Sequence, residues 1–510
     1  MKKHFSILLI SSALCIATPA FADETAITIY SKAGAGAIDP NMYRPVQGRS
    51  GYNGMNVPGY GVVRQVRDIE LSGKKNVVKY SDVAAYIDPT SVQFKSLTDP
   101  KGTKVGEQNY QFDLVSQSKL LEKYIDKKIT VEKNSGDKVE EVSGTLLSTQ
   151  GGITLKTDDS KIKAIRSYSS ISFPELPNGL ITKPTLVWDI FTGKVGKHKT
   201  EVSYQTQGMT WWADYNLIYR EGKDANSGFV DFNSWVSIIN QTGASFNDAK
   251  LKLMAGDVQK VQPQGRLYKV RNQGFAAMAD MAEAKAPSFS EKSFFEYHLY
   301  TLDKPTMLPN NSTKQLELIP AANNVPVEKV MVYNGFGSQY WNYGGLYTGR
   351  SYGVENPNKK VDVYLKIMNK KELGLGVPLP AGRIRVNQQD KSDGSLEFIG
   401  EDIIEHTPRN EELLIKLGSA FDVVGERKQL DYYLDSKRRF ADEKIEIKIR
   451  NQKKQAVKVK VVENLYRATG WDISTSSDKY TKDSAHQIHF MVNLKPEEEK
   501  IITYKVHYSW

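Results

Sequence analysis

Along most of the chain, apolar residues recur at every second position, the period of a strand with one buried face. In KIEIKIRNQKKQAVKVKVVEN, Ile445, Ile447 and Ile449 share one side while Lys444, Glu446 and Lys448 share the other, and beyond a polar turn Val457, Val459 and Val461 resume the pattern. The alternation predicts an antiparallel hairpin with one dry and one wet side. The same plan recurs in WVSIINQTGASFNDAKLKLM and VDVYLKIMNKKELGLGVPLPAG, each time with an asparagine closing the first strand: Asn240, Asn369 and Asn451. Asparagine suits that place because its short amide bonds nearby backbone and tolerates left-handed geometry. Three such units predict an all-β protein of several antiparallel, immunoglobulin-like β-sandwich domains. Independent occurrence of a common hairpin is the competing explanation.

One segment departs from the period of two. In SQSKLLEKYIDKK, Leu120, Leu121, Tyr124 and Ile125 fall on one helical stripe behind a cap at Ser116 or Ser118. Five short strand-like runs follow, from KITVEK to SSISFP, so a small Sm-like or SH3-like barrel containing one short helix is expected there. Pro174, Pro177 and Pro184 mark a linker beyond it. The expected division is a signal peptide at 1–22, an N-terminal β domain at 23–115, the helix-plus-barrel domain at 116–175, a central sandwich at 185–358 and a C-terminal sandwich at 359–510.

The amino terminus changes where this protein is expected to work. Met1-Lys2-Lys3 precedes an apolar run from Phe5 to Ile16, and TPAFA ends in small residues, the pattern of a secretory signal cut after Ala22. The run is too short for a permanent transmembrane helix, and no later stretch has the roughly 20 apolar residues needed. A periplasmic or otherwise exported protein is expected. Cys15 is the only cysteine and would leave with the signal, so the exported chain would rely on buried cores and not on disulfides. The formal charge of +10 falls to +8 without Lys2 and Lys3. That balance suits an anionic envelope glycan, a lipid or an envelope protein as partner, and without a dense Lys/Arg block nucleic acid is not expected.

Candidate chemistry is sparse. Beyond the signal the histidines are His198, His298, His406, His486, His489 and His507. His486 and His489 are close, but a three-residue spacing in a strand puts them on opposite faces, so no metal site is expected. The chain has no HExxH, no GxSxG set as a nucleophile elbow between a strand and a helix, no GxxxxGK and no GxGxxG opening a helix. Ser116 and Lys119 form an SxxK without the motifs that accompany it in penicillin-binding enzymes. No catalytic residue and no cofactor are nominated. The richest stretch is GEDIIEHTPRNEELLIKLGSAFDVVGERKQLDYY, where His406 stands among Glu401, Asp402, Glu405 and Glu411. Alternation disperses these acids over two faces, and Pro408 favours leaving the strand at Thr407. The stretch therefore reads as a strand, a turn at 406–410 and a partner strand from Glu412.

Two loops, 33–61 and 334–358, mix Gly, Asn and Arg with aromatic residues. They are either surface loops packed on their own protein or binding loops, since tyrosine and tryptophan provide rigid contact area with a polar end. As binding loops they nominate Tyr43, Tyr52, Tyr340, Trp341, Tyr343, Tyr347 and Tyr352.

The runs LGVPLPAGRIRV, FIGEDIIEHTPRNEELLIKLGSAFDVVGERKQLDY, ITYKVHYSW, EQNYQFDLVSQSKLLEKYIDKKITV and VSYQTQGMTWWADYNLIY together resemble a family of exported bacterial proteins classed as a domain of unknown function, with mucoidy inhibitor A proteins as distant relatives. The resemblance spans nearly the whole exported chain. It implies an all-β, periplasmic or envelope-associated protein and brings no catalytic residues; the long coiled coil of the mucoidy inhibitor relatives is missing. The expectation is a non-enzymatic envelope protein binding a glycan, lipid or protein. The alternatives are a hydrolase whose site assembles only in three dimensions, and an outer-membrane-associated β protein, the latter prompted by the alternation of Ile502, Tyr504, Val506, Tyr508 and Trp510.

Overall fold

The computed structural model describes residues 24–31, 57–135, 138–256, 258–259, 289–336, 346–351 and 357–510. Among the described residues the protein is nearly all β, with several sheets and none closed into a barrel. Among the described residues no helix is long and apolar enough to cross a membrane.

The first sandwich packs an eight-stranded sheet against a three-stranded one. Trp188, fully buried on Thr185–Phe191, fills the space between them. It meets Phe94 edge-on at 5.3 Å, and its indole N–H donates to Gln108 Oε1 at 2.8 Å. The larger sheet unites residues of the expected 23–115 and 185–358 units, because Glu24–Ser31 pairs in parallel with Phe246–Ala255 and antiparallel with Gly59–Leu71. A strand only eight residues long is stabilised by two neighbours wherever they lie in the chain.

Between these strands sits the helix Gln117–Lys123, capped by Ser116, whose Oγ accepts the Lys119 N–H at 3.3 Å. The five short strands follow as a sheet of order Ser170–Ser172, Lys128–Ser135, Lys138–Ser148, Ile153–Thr157, Ile162–Ile165, with its own core around Leu146 and Leu155. The fifth strand returns beside the first, but the outermost two exchange no ladder, so the expected barrel is an open sheet.

A fourteen-stranded sheet carries the rest. Its continuity depends on the 24-residue strand Glu412–Asp435, whose first half pairs with Lys360–Met368 and whose second half pairs with Phe440–Asn451. The dry faces are those the alternation predicts: Ile445, Ile447, Ile449, Val459 and Val461 are fully buried.

The pairing of those faces corrects the hairpin expectation. Phe440–Asn451 pairs with Glu412–Asp435 and Glu499–Ser509, whereas Val457–Asn464 pairs with Gln487–Leu494 and Ala322–Asn334. The two strands meet through their side chains in one core, as an arch. Likewise Ser227–Asn240 and Phe246–Ala255 belong to different sheets, and Lys360–Met368 does not pair with Gly382–Gln389.

The three asparagines hold these crossings. Each is buried, none lies in left-handed geometry, and each joins the crossing loop to the turn before a later strand. Asn240 Nδ2 donates to the carbonyls of Ala244 and Leu308 at 2.9 and 3.0 Å. Asn369 Nδ2 donates to Val377 and Pro408 at 2.7 and 2.8 Å. Asn451 Nδ2 donates to Gln455 and Lys495 at 2.9 and 2.8 Å, while its Oδ1 accepts the Lys453 N–H at 3.1 Å. The later turns also correspond, each containing a left-handed residue: Asn311, Asn410 and Glu497. Recurrence of the same bonds favours a repeated unit over chance. Asn451→Ala is expected to lower stability by about 3 kcal/mol, roughly 1 kcal/mol for each of three lost bonds. Urea unfolding checks this, and an unchanged midpoint would remove the asparagine from its structural role.

Candidate functional site

The stretch around His406 forms a turn between Leu396–Ile404 and Glu412–Asp435. His406 Nδ1 accepts the Ala381 N–H at 3.0 Å. The acids do not converge: Glu401 lies 3.5 Å from Arg385, Asp402 accepts the Lys416 N–H at 2.6 Å, and Glu405 and Glu411 are exposed. The strand from Glu412 follows as expected, but its ladder runs to Lys360–Met368 and not to Leu396–Ile404.

The other single candidates are likewise built into the fold. His198 is fully buried between Ser96 Oγ at 3.0 Å and the Lys194 carbonyl at 2.7 Å. His298, His489 and His507 each set Nδ1 2.7 Å from one carboxylate oxygen, of Glu291, Asp483 and Asp442 respectively. In the SxxK, Ser116 caps the helix, and the charges of Asp113 and Glu122 raise the Lys119 pKa, which favours the ammonium over a free base. Among the described residues, no group of three or more His, Cys, Asp or Glu side chains is placed to hold a metal ion.

The aromatic loop 334–358 carries more structure. Tyr43, Tyr52, Tyr340, Trp341, Tyr343 and Tyr352 lie outside the described residues, and Tyr347 lies within them. The two ends of the loop are joined. Asn358 Nδ2 donates to the Asn334 carbonyl at 3.0 Å, its backbone N–H donates to the Gly335 carbonyl at 3.2 Å, and Tyr333 Oη donates to the Asn358 carbonyl at 2.7 Å. Phe336 packs on Tyr466 with ring centres 4.6 Å apart.

The middle of the loop rests on a buried ion pair. Arg467, its side chain 1% exposed, binds Glu443 through Nε at 3.2 Å and Nη2 at 3.0 Å. The same guanidinium donates to the carbonyls of Tyr347, Gly349 and Arg350 at 3.1, 2.7 and 3.3 Å, while the Tyr347 N–H donates to the Arg467 carbonyl at 3.0 Å. Tyr432 Oη donates to the Thr348 carbonyl at 2.5 Å, and Gln429 Nε2 bridges Glu443 Oε1 and the Arg350 carbonyl at 2.7 and 3.3 Å. A planar five-donor cation can hold a carboxylate with one edge and several carbonyls with the others, a pattern lysine cannot reproduce.

A second buried pair lies beneath. Arg427 Nε meets both oxygens of Glu463 at 2.9 and 3.1 Å, and Tyr504 Oη donates to Glu463 at 2.5 Å. Burial opposes the positive charge of Arg467, but Glu443 outweighs it and the net pKa is raised; Arg427 is raised well above its ordinary value by Glu463 in the same way. Burial pushes the phenols of Tyr466 and Tyr504 upward, keeping them as hydrogen-bond donors. Each cation therefore has its anion, and the residual donors of Arg467 point at loop backbone. Chemically this is a seat that fixes a loop.

Motif and composition do not single these residues out, although the sequence carries a signal for them. Glu443 and Glu463 are in phase with the dry faces of Ile445–Ile449 and Val457–Val461, and Arg427 is in phase with Val423. A charge in phase with a buried face needs a partner.

The family described as Domain of unknown function (DUF4139) matches residues 200–510. The chain belongs to this family. No curated protein and no solved structure matches it. The DUF4139 segment contains all three asparagine-held crossings, both buried ion pairs and the aromatic loop, while the helix and the open five-stranded sheet precede it.

Proposed function

We propose that this DUF4139 protein is an exported, non-enzymatic binding protein of the cell envelope that takes an envelope glycan, lipid or protein through the aromatic loop 334–358. The observation that carries this reading is the buried guanidinium of Arg467, directed at three successive parts of one surface loop. Anchoring a loop from the core lowers the conformational entropy lost when a partner binds. The aromatic residues expected in the loop supply rigid contact area with polar ends. Export rests on the signal pattern ending at Ala22, and the resemblance of the sequence to distant mucoidy inhibitor A proteins would accord with an envelope role.

The test is binding of the purified mature chain to isolated lipopolysaccharide, to peptidoglycan sacculi and to solubilised envelope proteins. Saturable binding to one fraction, weakened by Tyr347→Ala, is expected. Failure against every fraction removes the reading. N-terminal sequencing of the protein recovered by osmotic shock is expected to begin at Asp23, and retention of the first 22 residues would defeat the export proposal.

A further inference from the structure

We propose a second binding site, separate from the loop seat, on the outward face of the central strands, and assign it to a neutral polyhydroxylated glycan. Four strands place Asn233, Asn216, Arg385 and Glu401 side by side in register. The row crosses about 14 Å, three inter-strand spacings. Residues paired in register turn their side chains to the same face, so two amides, a guanidinium and a carboxylate form one line of mixed donors and acceptors. Among the described residues neither the Asn216 nor the Asn233 amide hydrogen-bonds to protein, although both are half-buried.

Trp235 stands beside this row. On its own strand the outward positions change from fully buried at Ser237 to 42% exposed at Trp235. The indole therefore forms a step at the edge of the open face. Phe398, 59% exposed, lies on the far side of the row, paired with Asn387. An amphipathic ring beside hydrogen-bonding side chains suits a sugar, whose C–H face stacks while its hydroxyls donate and accept.

The underlying framework is held in place before any ligand arrives. Asp214, 6% exposed and paired in register with Trp235, accepts from Trp212 Nε1 at 2.7 Å and from Ser237 Oγ at 3.1 Å. Arg385 lies 3.8 Å from Asp214 and 3.5 Å from Glu401. Charge on this face is thus compensated internally and offers no field to select an anionic ligand. Paired charges at the centre also differ from the charge-poor core of a protein interface. Neutral hydroxyl chemistry is what the row fits.

The test uses the full exported chain with cellohexaose, maltohexaose and chitohexaose as probes, read by calorimetry and tryptophan fluorescence. Binding of at least one is expected, weakened about tenfold or more in Trp235→Ala and in the Asn216→Ala/Asn233→Ala double variant. Phe112→Ala, an exposed position just beyond the strand Lys104–Gln111, is expected to bind as the parent does. Circular dichroism establishes that each variant is folded. No binding of any probe at millimolar concentration overturns the proposal, as does binding that Trp235→Ala leaves unchanged. A dimer in sedimentation that dissociates in Trp235→Ala overturns it in favour of self-association. Loss of sacculus binding in Tyr347→Ala with retention of oligosaccharide binding separates this site from the loop seat.

Discussion

Arg467→Ala is expected to destabilise the C-terminal sandwich by about 3–5 kcal/mol, the cost of leaving a buried carboxylate without its cation. Glu443 would keep Gln429 and Tyr466 at 2.7 and 3.2 Å but lose both guanidinium bonds. The carbonyls of Tyr347, Gly349 and Arg350 would lose their common donor, so limited proteolysis should cut within 346–351 at rates the parent does not show. The double variant Glu443→Leu/Arg467→Met distinguishes the two effects. With both charges replaced by apolar groups, stability should return to near the parental value, while the loop remains cleavable. A stable Arg467→Ala protein with a protected loop would show that the ion pair anchors nothing.

Raising the pH from 10 toward 12 is expected to unfold the sandwiches cooperatively. Burial pushes Tyr80 up to about 12 from an ordinary 10.0, and raises Tyr204, Tyr215, Tyr300, Tyr504 and Tyr508 as well. The folded state holds these protons more tightly than the unfolded chain. Their stabilisation is therefore complete below pH 10 and is lost as pH rises through the folded-state values. Two units at Tyr80 alone correspond to about 3 kcal/mol, and the other buried phenols act in the same direction. Phenolate absorbance near 295 nm, a wavelength typical of ionised tyrosine, should rise in two steps, with exposed tyrosines titrating first and buried ones only together with loss of the β circular dichroism signal. Smooth titration of all phenols with the fold intact would contradict the burial assignment.

Much of this architecture was legible in the residues. Ile445, Ile447 and Ile449 announced a strand with one dry face, and the stripe Leu120–Ile125 behind a cap at Ser116 or Ser118 announced the helix Gln117–Lys123. Pro408 marked the stretch around His406 as the point where the chain leaves its strand. The recurrence of Asn240, Asn369 and Asn451 was visible too, but its reason was not. Period two states that one face is dry and is silent on whether two dry faces lie in one plane or oppose each other across a core. Only the crossings showed that the amides bridge a loop and a distant turn, in ordinary backbone geometry and not in a left-handed one.

The candidate site divides along the same line. The aromatic composition of 334–358 selected the loop, and Glu443, Glu463 and Arg427 stood in phase with buried faces where a charge needs a partner. Which cation meets which anion depends on strand order. Arg467 lies 24 residues from Glu443 and 120 from Tyr347, and no local pattern connects those positions.

By itself the sequence determined the β character, the buried faces, the helix start and the turn at His406, because these depend on side-chain period and on dihedral preferences within a few residues. The tertiary structure alone decided that Glu24–Ser31 joins Phe246–Ala255, that the alternating runs form arches, and that two buried ion pairs sit under one loop. Those outcomes depend on which distant surfaces exclude water together, and hydrophobic burial is indifferent to separation along the chain.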